Sequence, residues 1–188
     1  MKSMTSAHRL YLIRHGRPTA GFSEASDPGL DEVGREQALG IARELRSLGP
    51  LAIITSPLKR TRETAFPFEK QWGYSADLEP RVAEIPSPSE DLQARSTWLH
   101  TALRGRWNDL PEAYQNWRAQ VVSFLTQQLT AAVITTHFVA INAAVGAATG
   151  DDRLVCFEPD HCSCTVLEVI ENRLQLVSLG QQRATGIL

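Results

Sequence analysis

The sequence predicts an α/β fold, and three observations carry that prediction. Three short apolar runs, 10–13, 51–55 and 131–136, have the length and composition of buried strands. Each run stops abruptly at polar or cationic residues: Arg14-His15-Gly16-Arg17-Pro18 after the first, Ser56-Pro57 and then Arg60 after the second, His137 after the third. Helical patterns separate the runs. In open α/β sheets ligands bind just outside the carboxyl ends of the strands. Cations gathered there read as an anion site, and arginine is suited to holding phosphate oxygens two at a time.

Composition narrows the class. A chain of 188 residues suits one domain, expected to span 1–188, with a proper core. Hydrophobic residues at 43% and charged residues at 21% describe a globular and not a disordered chain. The formal net charge of -2, without a basic stripe, argues against a nucleic-acid partner. No stretch approaches the roughly 18 apolar residues of a membrane span. Residues 1–8 lack the apolar core of a signal peptide, so the expected location is cytoplasmic. Cys156, Cys162 and Cys164 lie close together and are odd in number, which argues for reduced, buried thiols over a disulfide framework.

The elements follow in order. Gly16 lets the chain turn sharply after the first strand, and 19–29 reads as a polar loop near the site. A helix is expected over 31–48, with Asp31 as N-cap and Ala38, Ile41, Ala42 and Leu45 on its apolar stripe. Gly49-Pro50 stops it. After the second strand, Pro57 suits a first helical position. Arg60 then falls in the first turn, where free N–H groups and the helix dipole favour an anion. Arg62 faces elsewhere, and Pro67 is expected to end or kink this helix.

Residues 77–85 are charged around a little apolar sequence. An irregular helix is expected from Asp91 to about Leu103. Arg104 and Arg106 read as surface-loop residues, with a place facing a substrate as the alternative, and 107–111 reads as a loop. A longer helix over 111–129 carries Tyr114, Trp117, Val121, Phe124 and Leu125, a packing stripe. After His137 an apolar helix begins. Strands are expected over 162–169 and 174–178, joined by a turn at Glu171-Asn172 and paired along one side of the sheet. His100 and His161 have no motif around them and read as surface or structural residues.

Ile13-Arg14-His15-Gly16 resembles the Arg-His-Gly signature of the histidine phosphatase superfamily, also called the phosphoglycerate mutase-like family. Residues 56–65 resemble its second motif, Ser-x-Leu-x-Arg-Ala-x-x-Thr-Ala. Ser56, Leu58, Arg60, Thr64 and Ala65 match, and Thr61 replaces Ala. Residues 77–85 resemble the segment that bears the family's acidic proton donor. On that alignment Glu84 is the acid, with Glu79 and Glu90 as alternatives. The usual Gly-x-Trp-Glu-Gly continuation is replaced by Ile85-Pro86-Ser87-Pro88-Ser89-Glu90. Residues 131–137 resemble the run that leads to the family's second histidine, here His137.

The resemblance implies a three-layer sandwich, a mostly parallel central sheet with helices on both faces. It implies a metal-independent phosphomonoesterase acting on a small phosphorylated metabolite, with no cofactor and no metal. His15 would be the nucleophile and form a phosphohistidine. Arg14, Arg60 and His137, supported by Arg17, would bind the phosphoryl group, and Glu84 would move the proton. A backbone carbonyl accepting from the other nitrogen of His15 would fix its tautomer. Two rivals stand beside this reading. One is a phosphoglycerate mutase-like phosphotransferase, weakened because Arg17-Pro18 and Gly21 replace the family's usual Glu-Ser or Glu-Thr and following Asn. The other is a non-catalytic phosphate-binding protein of the same fold, whose usual sign, loss of the histidine or the acid, is missing here.

Overall fold

Strand β1 (His8–Arg14) sits inside a mixed six-stranded sheet in the computed structural model, which describes residues 7–21 and 23–183. The first six residues, read above for a signal peptide, lie outside the described residues, as does Phe22 of the polar loop. The other strands are β2 (Ala52–Thr55), β3 (Asp77–Leu78), β4 (Ala132–Thr136), β5 (Cys164–Ile170) and β6 (Arg173–Ser178). Their order across the sheet is β3-β2-β4-β1-β5-β6. The β3-β2, β2-β4 and β4-β1 pairs are parallel. The β1-β5 and β5-β6 pairs are antiparallel. The turn joining β5 to β6 places Glu171 and Asn172 at φ 50° and 58°, the left-handed pair of a tight hairpin.

Among the described residues there are five α-helices: α1 (Glu32–Glu44), α2 (Lys59–Trp72), α3 (Leu92–Ala102), α4 (Glu112–Thr126) and α5 (Phe138–Thr149). The two-residue alternation of the strands divides the core between the faces. Ile13, Ile53 and Val133 point to one face and pack with Ala38 and Ile41 of α1 and Ala65 and Phe68 of α2. Leu10, Leu12, Ile54 and Ile134 point to the other and pack with Val121 and Phe124 of α4 and Ile141 and Ala144 of α5. A smaller cluster joins α3 to α5 through Ala102, Trp107, Val139, Ala143 and Leu154. The expected helices on both faces are therefore present. Among the described residues no helix is long and apolar enough to cross a membrane.

Three local expectations need correction. The helix that starts at Asp31 ends at Glu44, and a tighter 3-10 turn, Arg46–Leu48, finishes the segment. Pro57 lies before α2, because Ser56 Oγ accepts the Leu58 N–H and holds a turn there. The start of α2 receives its cap from another segment: Asp27 Oδ1 accepts the Lys59 N–H at 2.8 Å. Pro67 does not stop α2. Phe68 is fully buried one residue later and its ring meets that of Trp72 at 5.4 Å, so packing holds the last turn until Gly73 ends it at φ 82°. The three cysteines are free thiols, and Cys162 and Cys164 pack into the same cluster.

Candidate active site

Parallel pairing of β1, β4 and β2 brings their carboxyl ends side by side, with Arg14 opposite Thr136 and Thr55 opposite Thr135. The residues after those ends are His15, His137 and Ser56. Hydrogen bonds lock the three strand ends together. The His15 N–H donates to the Thr136 carbonyl at 3.0 Å and the Ser56 N–H to the Thr135 carbonyl at 3.2 Å. Thr135 Oγ1 donates to Thr55 Oγ1 at 2.8 Å. Thr136 Oγ1 donates to the Val82 carbonyl at 2.6 Å and so fastens the segment that leads to Glu84.

The turn after β1 is pinned on two sides. The Gly16 N–H donates to Thr64 Oγ1 at 3.0 Å, and that hydroxyl donates to the Arg60 carbonyl at 2.7 Å, so α2 hangs on the turn. On the other side the turn lies against the start of α1. A Cβ on Gly16 would stand 2.5 Å from the Gly34 carbonyl oxygen, and one on Gly34 would strike the Arg17 carbonyl. Both positions therefore require glycine for close backbone approach.

His15 is 6% exposed and His137 fully buried, with ring centroids 5.3 Å apart. His15 Nδ1 lies 2.8 Å from the Gly16 carbonyl oxygen. A carbonyl only accepts, so the proton sits on Nδ1 and Nε2 keeps its lone pair. Burial, helped by His137, Arg60 and Arg14, pushes the His15 pKa well below its ordinary value, and the imidazole is neutral. His137 is neutral for the same reasons, burial first and then Arg60 and Arg14. Its tautomer is the opposite one. Nδ1 accepts from the Arg60 guanidinium at 3.1 Å, so Nε2 carries the proton and donates to Ser56 Oγ at 2.8 Å.

Arg60 is buried beside these rings, and Asp27 Oδ1 is 4.0 Å from its Nη1. Arg14 donates through Nη1 to the Pro159 carbonyl at 2.8 Å and lies over the Phe138 ring at 5.2 Å. Its buried Nε has no partner among the described residues. Burial and the neighbouring Arg183 lower its pKa to about 10, which leaves it cationic at neutral pH. Glu84 Oε1 accepts the Ile85 N–H at 3.0 Å and the Val139 N–H at 3.2 Å, the second from the first turn of α5. Burial nevertheless outweighs these donors and both arginines and raises the Glu84 pKa.

A cavity of about 660 Å³ opens from this cluster. Arg14, His15, Arg60 and Glu84 form its charged end. Leu99, Leu103, Phe138, Val139 and Val155 give it an apolar wall, and Pro18, Ala20, Gly21, Ala25, Ser26 and Pro28 add small residues to the lining. Of the three carboxylates left open by the sequence, Glu84 alone lines it. Glu79 is held by Arg81 at 2.8 and 2.7 Å, and Glu90 is exposed and not part of the lining. Two expected contacts are displaced. Arg17 is outside the lining: its side chain is 52% exposed and its Nε is 2.5 Å from Asp31 Oδ2, because the turn points it along α1. His137 stands behind Arg60, both its nitrogens already engaged.

A family model described as histidine phosphatase superfamily (branch 1) matches residues 10–182. The chain belongs to the histidine phosphatase superfamily. A curated relative from Cronobacter sakazakii, named "Probable phosphoglycerate mutase GpmB", is 30% identical over 119 residues, 61% of this chain and 50% of the relative. A relative of the same name from Photorhabdus laumondii is 38% identical over 81 residues, 41% of this chain and 38% of its own. The chain thus spans half or less of the length of these relatives. Among solved structures, a mycobacterial glucosyl-3-phosphoglycerate phosphatase aligns with TM-score 0.71 at 19% identity over 91% of this chain and 98% of its own. Bacillus stearothermophilus YhfR aligns with TM-score 0.74 at 20% identity over 90% and 95%. At those identities the structures show the same fold.

Four basic residues of this histidine phosphatase cavity were not read as site residues in the sequence: His100, Arg104, His161 and Arg183. His161 corrects the surface or structural reading most clearly, its ring being 5.7 Å from that of His15. None of the four follows a parallel strand. His161 lies in the segment before β5, which Asn142 of α5 anchors by accepting the Cys156 and Phe157 N–H groups at 2.7 and 3.1 Å. Arg183 arrives after β6, where its N–H donates to the Glu158 carbonyl at 3.1 Å. Only the buried Asn142 in an otherwise apolar helix offered a sequence signal that this segment folds back.

Proposed function

We propose that the protein is a metal-independent phosphomonoesterase that works through a phosphohistidine on His15. One observation carries the reading. A buried, neutral His15 has its Nδ1 proton committed to Gly16, and so offers Nε2 to a cavity end built from Arg14, Arg60 and a carboxyl of raised pKa. In the first half-reaction Nε2 attacks phosphorus and the bond to the leaving oxygen breaks. Glu84 gives its proton to that oxygen. In the second, water attacks phosphorus, the N–P bond breaks, and Glu84 takes the proton of the water. Inorganic phosphate and the starting enzyme result.

Arg14 and Arg60 draw charge from the phosphoryl oxygens. The buried Nε of Arg14 is a donor ready for one of them. His137 acts through Arg60, fixing the guanidinium by accepting from it. The cavity is larger than a phosphoryl group needs and falls within the range of small-molecule sites. Its apolar wall suits a leaving group with a hydrocarbon or ring portion. Exposed Arg104, Glu158 and Arg183 leave the mouth open to the hydrolytic water.

The names of the curated relatives favour a second reading, transfer of the phosphoryl group to another hydroxyl. Both readings share the phosphohistidine and differ in the acceptor. A panel of phosphorylated metabolites, turned over after exhaustive chelation, tests the first through release of inorganic phosphate. Rapid quench and mass spectrometry should find the acid-labile phosphate on His15. Phosphate on another residue overturns the mechanism, and phosphate recovered on an added hydroxy acid in place of water selects the second reading.

A further inference from the structure

His161 belongs to no motif of the sequence and to no step described above, yet its place in the cavity is specific. Its side chain is 16% exposed, it lines the charged end, and its ring centroid is 5.7 Å from that of His15 at an interplanar angle of 48°. The segment that carries it is tied to the site twice. The Cys162 N–H donates to the Arg14 carbonyl at 2.9 Å, and the Arg14 N–H donates to the Ser163 carbonyl at 3.3 Å. His161 is thus held beside the Arg14-His15 peptide by backbone bonds from the two residues that follow it. Its Nδ1 is 3.9 Å from Asp160 Oδ1, too far for a hydrogen bond, and that carboxylate accepts the His161 N–H instead. Among the described residues no hydrogen bond engages the ring, which is positioned but not spent.

We propose that His161 is a further binding residue for the phosphoryl group, and that it takes up a proton when the dianion arrives. This rests on the reading that the dianion sits against His15. The groups that face His161 explain why the proton comes with the ligand. Arg14 on β1, Arg17 in the turn after it and Arg183 after β6 repel an imidazolium, and Asp160 beside it attracts one. Burial is the largest influence, and together these hold the free ring at a pKa of about 4. Two negative charges placed beside Arg14 and Arg60 reverse the local field. The proton is drawn from solvent, so the bound site gains one positive charge that the free site does not carry.

Inorganic sulfate is the suitable probe, a dianion that does not itself titrate between pH 5 and 8. Two measurements on the full chain test the proposal. In proton NMR the His161 ring resonance, assigned by its loss in H161N, should titrate near pH 4 without sulfate and near or above pH 7 at saturating sulfate. Calorimetry should show wild-type sulfate affinity rising more steeply than that of H161N as pH falls, by up to one bound proton. With a bound-state pKa near 7 the wild type should exceed H161N on the order of tenfold at pH 6 and hardly at all at pH 8. H161Q, longer by one carbon than Asn, should follow H161N while keeping the fold. An unmoved His161 resonance with sulfate bound, or equal pH slopes in wild type and both variants, overturns the role of His161 and leaves the anion site standing. Failure of the wild type to bind sulfate overturns the anion site itself.

Discussion

The strand-end centre and the mouth of the cavity are built by different rules. At the centre, Thr55, Ser56, Thr64, Thr135, Thr136 and His137 are all buried, and each has a hydrogen-bond partner from another segment of the chain. Moving any one of them breaks bonds that water cannot replace, each costing about 1–3 kcal/mol if a buried group is left unpaired. At the mouth, His100, Arg104, Glu158 and Arg183 are exposed. Substitution there typically changes stability by about 0.5 kcal/mol or less. The centre is therefore bound to the fold, while the residues of the mouth can change at little structural cost.

The largest expected effect tests the centre. H15A should lower turnover of p-nitrophenyl phosphate by roughly 10⁴–10⁶-fold, the scale on which removal of a nucleophile is felt. Steady-state assay and loss of the acid-labile phosphate check it. A variant retaining a tenth of the activity would move the nucleophile elsewhere in the cavity.

E84Q comes next, with a loss on the order of 10²–10⁴-fold for an alkyl phosphate. The loss should be clearly smaller for p-nitrophenyl phosphate in the phosphorylation step, because that phenolate leaves without a proton. Single-turnover measurement separates this step from dephosphorylation, where Glu84 would serve as base on the proposed mechanism. The same variant should reveal a cost in stability. The folded pKa of Glu84 lies above its ordinary value of 4.5. Its neutral form is at home below pH 4.5, and stability is lost as pH rises from there through the folded pKa. E84Q, always neutral, should therefore raise Tm relative to wild type at pH 8 and show no such gain at pH 4. Equal Tm differences at both pH values would mean the carboxylate is not penalised by burial.

The third prediction asks whether the buried network does what its geometry suggests. T64V keeps the shape of the side chain but leaves the Gly16 N–H without its acceptor. Stability should fall by about 1–3 kcal/mol, which for a chain of this size is a drop in Tm of several degrees. Activity should fall with it, since Gly16 also holds the tautomer of His15. A stable variant with unchanged kcat would show that the turn is held by Gly34 packing alone.

The unequal legibility of these regions follows from the same physics. Strands that end in cations announce themselves because β1, β2 and β4 are apolar, short and parallel, so their carboxyl ends must meet. Arg14, His15, Arg60 and Glu84 were found that way or through the family resemblance, and all four line the cavity. His161 and Arg183 reach it through antiparallel pairing and chain return, where no local pattern marks the destination. Arg17 errs in the opposite direction. One residue past Gly16 a cation looks like part of the cluster, but Gly34 lies under the turn and the side chain is carried over to Asp31. His137 was correctly placed at a strand end, but its partners Ser56 and Arg60 come from a different stretch of sequence, so its role behind Arg60 required the structure.

The smallest expected effect sharpens the boundary between the two regions. Arg17 neighbours the catalytic turn in sequence and yet belongs to the surface by its surroundings. The guanidinium itself is exposed where it meets the half-buried Asp31, and such pairs contribute little in water. Asp31 also accepts the Gly34 N–H at 2.7 Å, and this bond, which caps α1, survives removal of the arginine. Hence R17A should leave Tm almost unchanged and hold KM and kcat for a small phosphomonoester within about twofold of wild type. A residual influence remains through charge: Arg17 is the weakest of the three arginines that repel a proton from His161. Its removal should make the free ring slightly easier to protonate, an upward drift of the His161 resonance midpoint with no change in its sulfate-bound value beyond the same small amount. A tenfold rise in KM would return Arg17 to the phosphoryl site. It would mean that the Asp31 contact opens when substrate binds, and the line drawn here between centre and surface would have to pass on the other side of this residue.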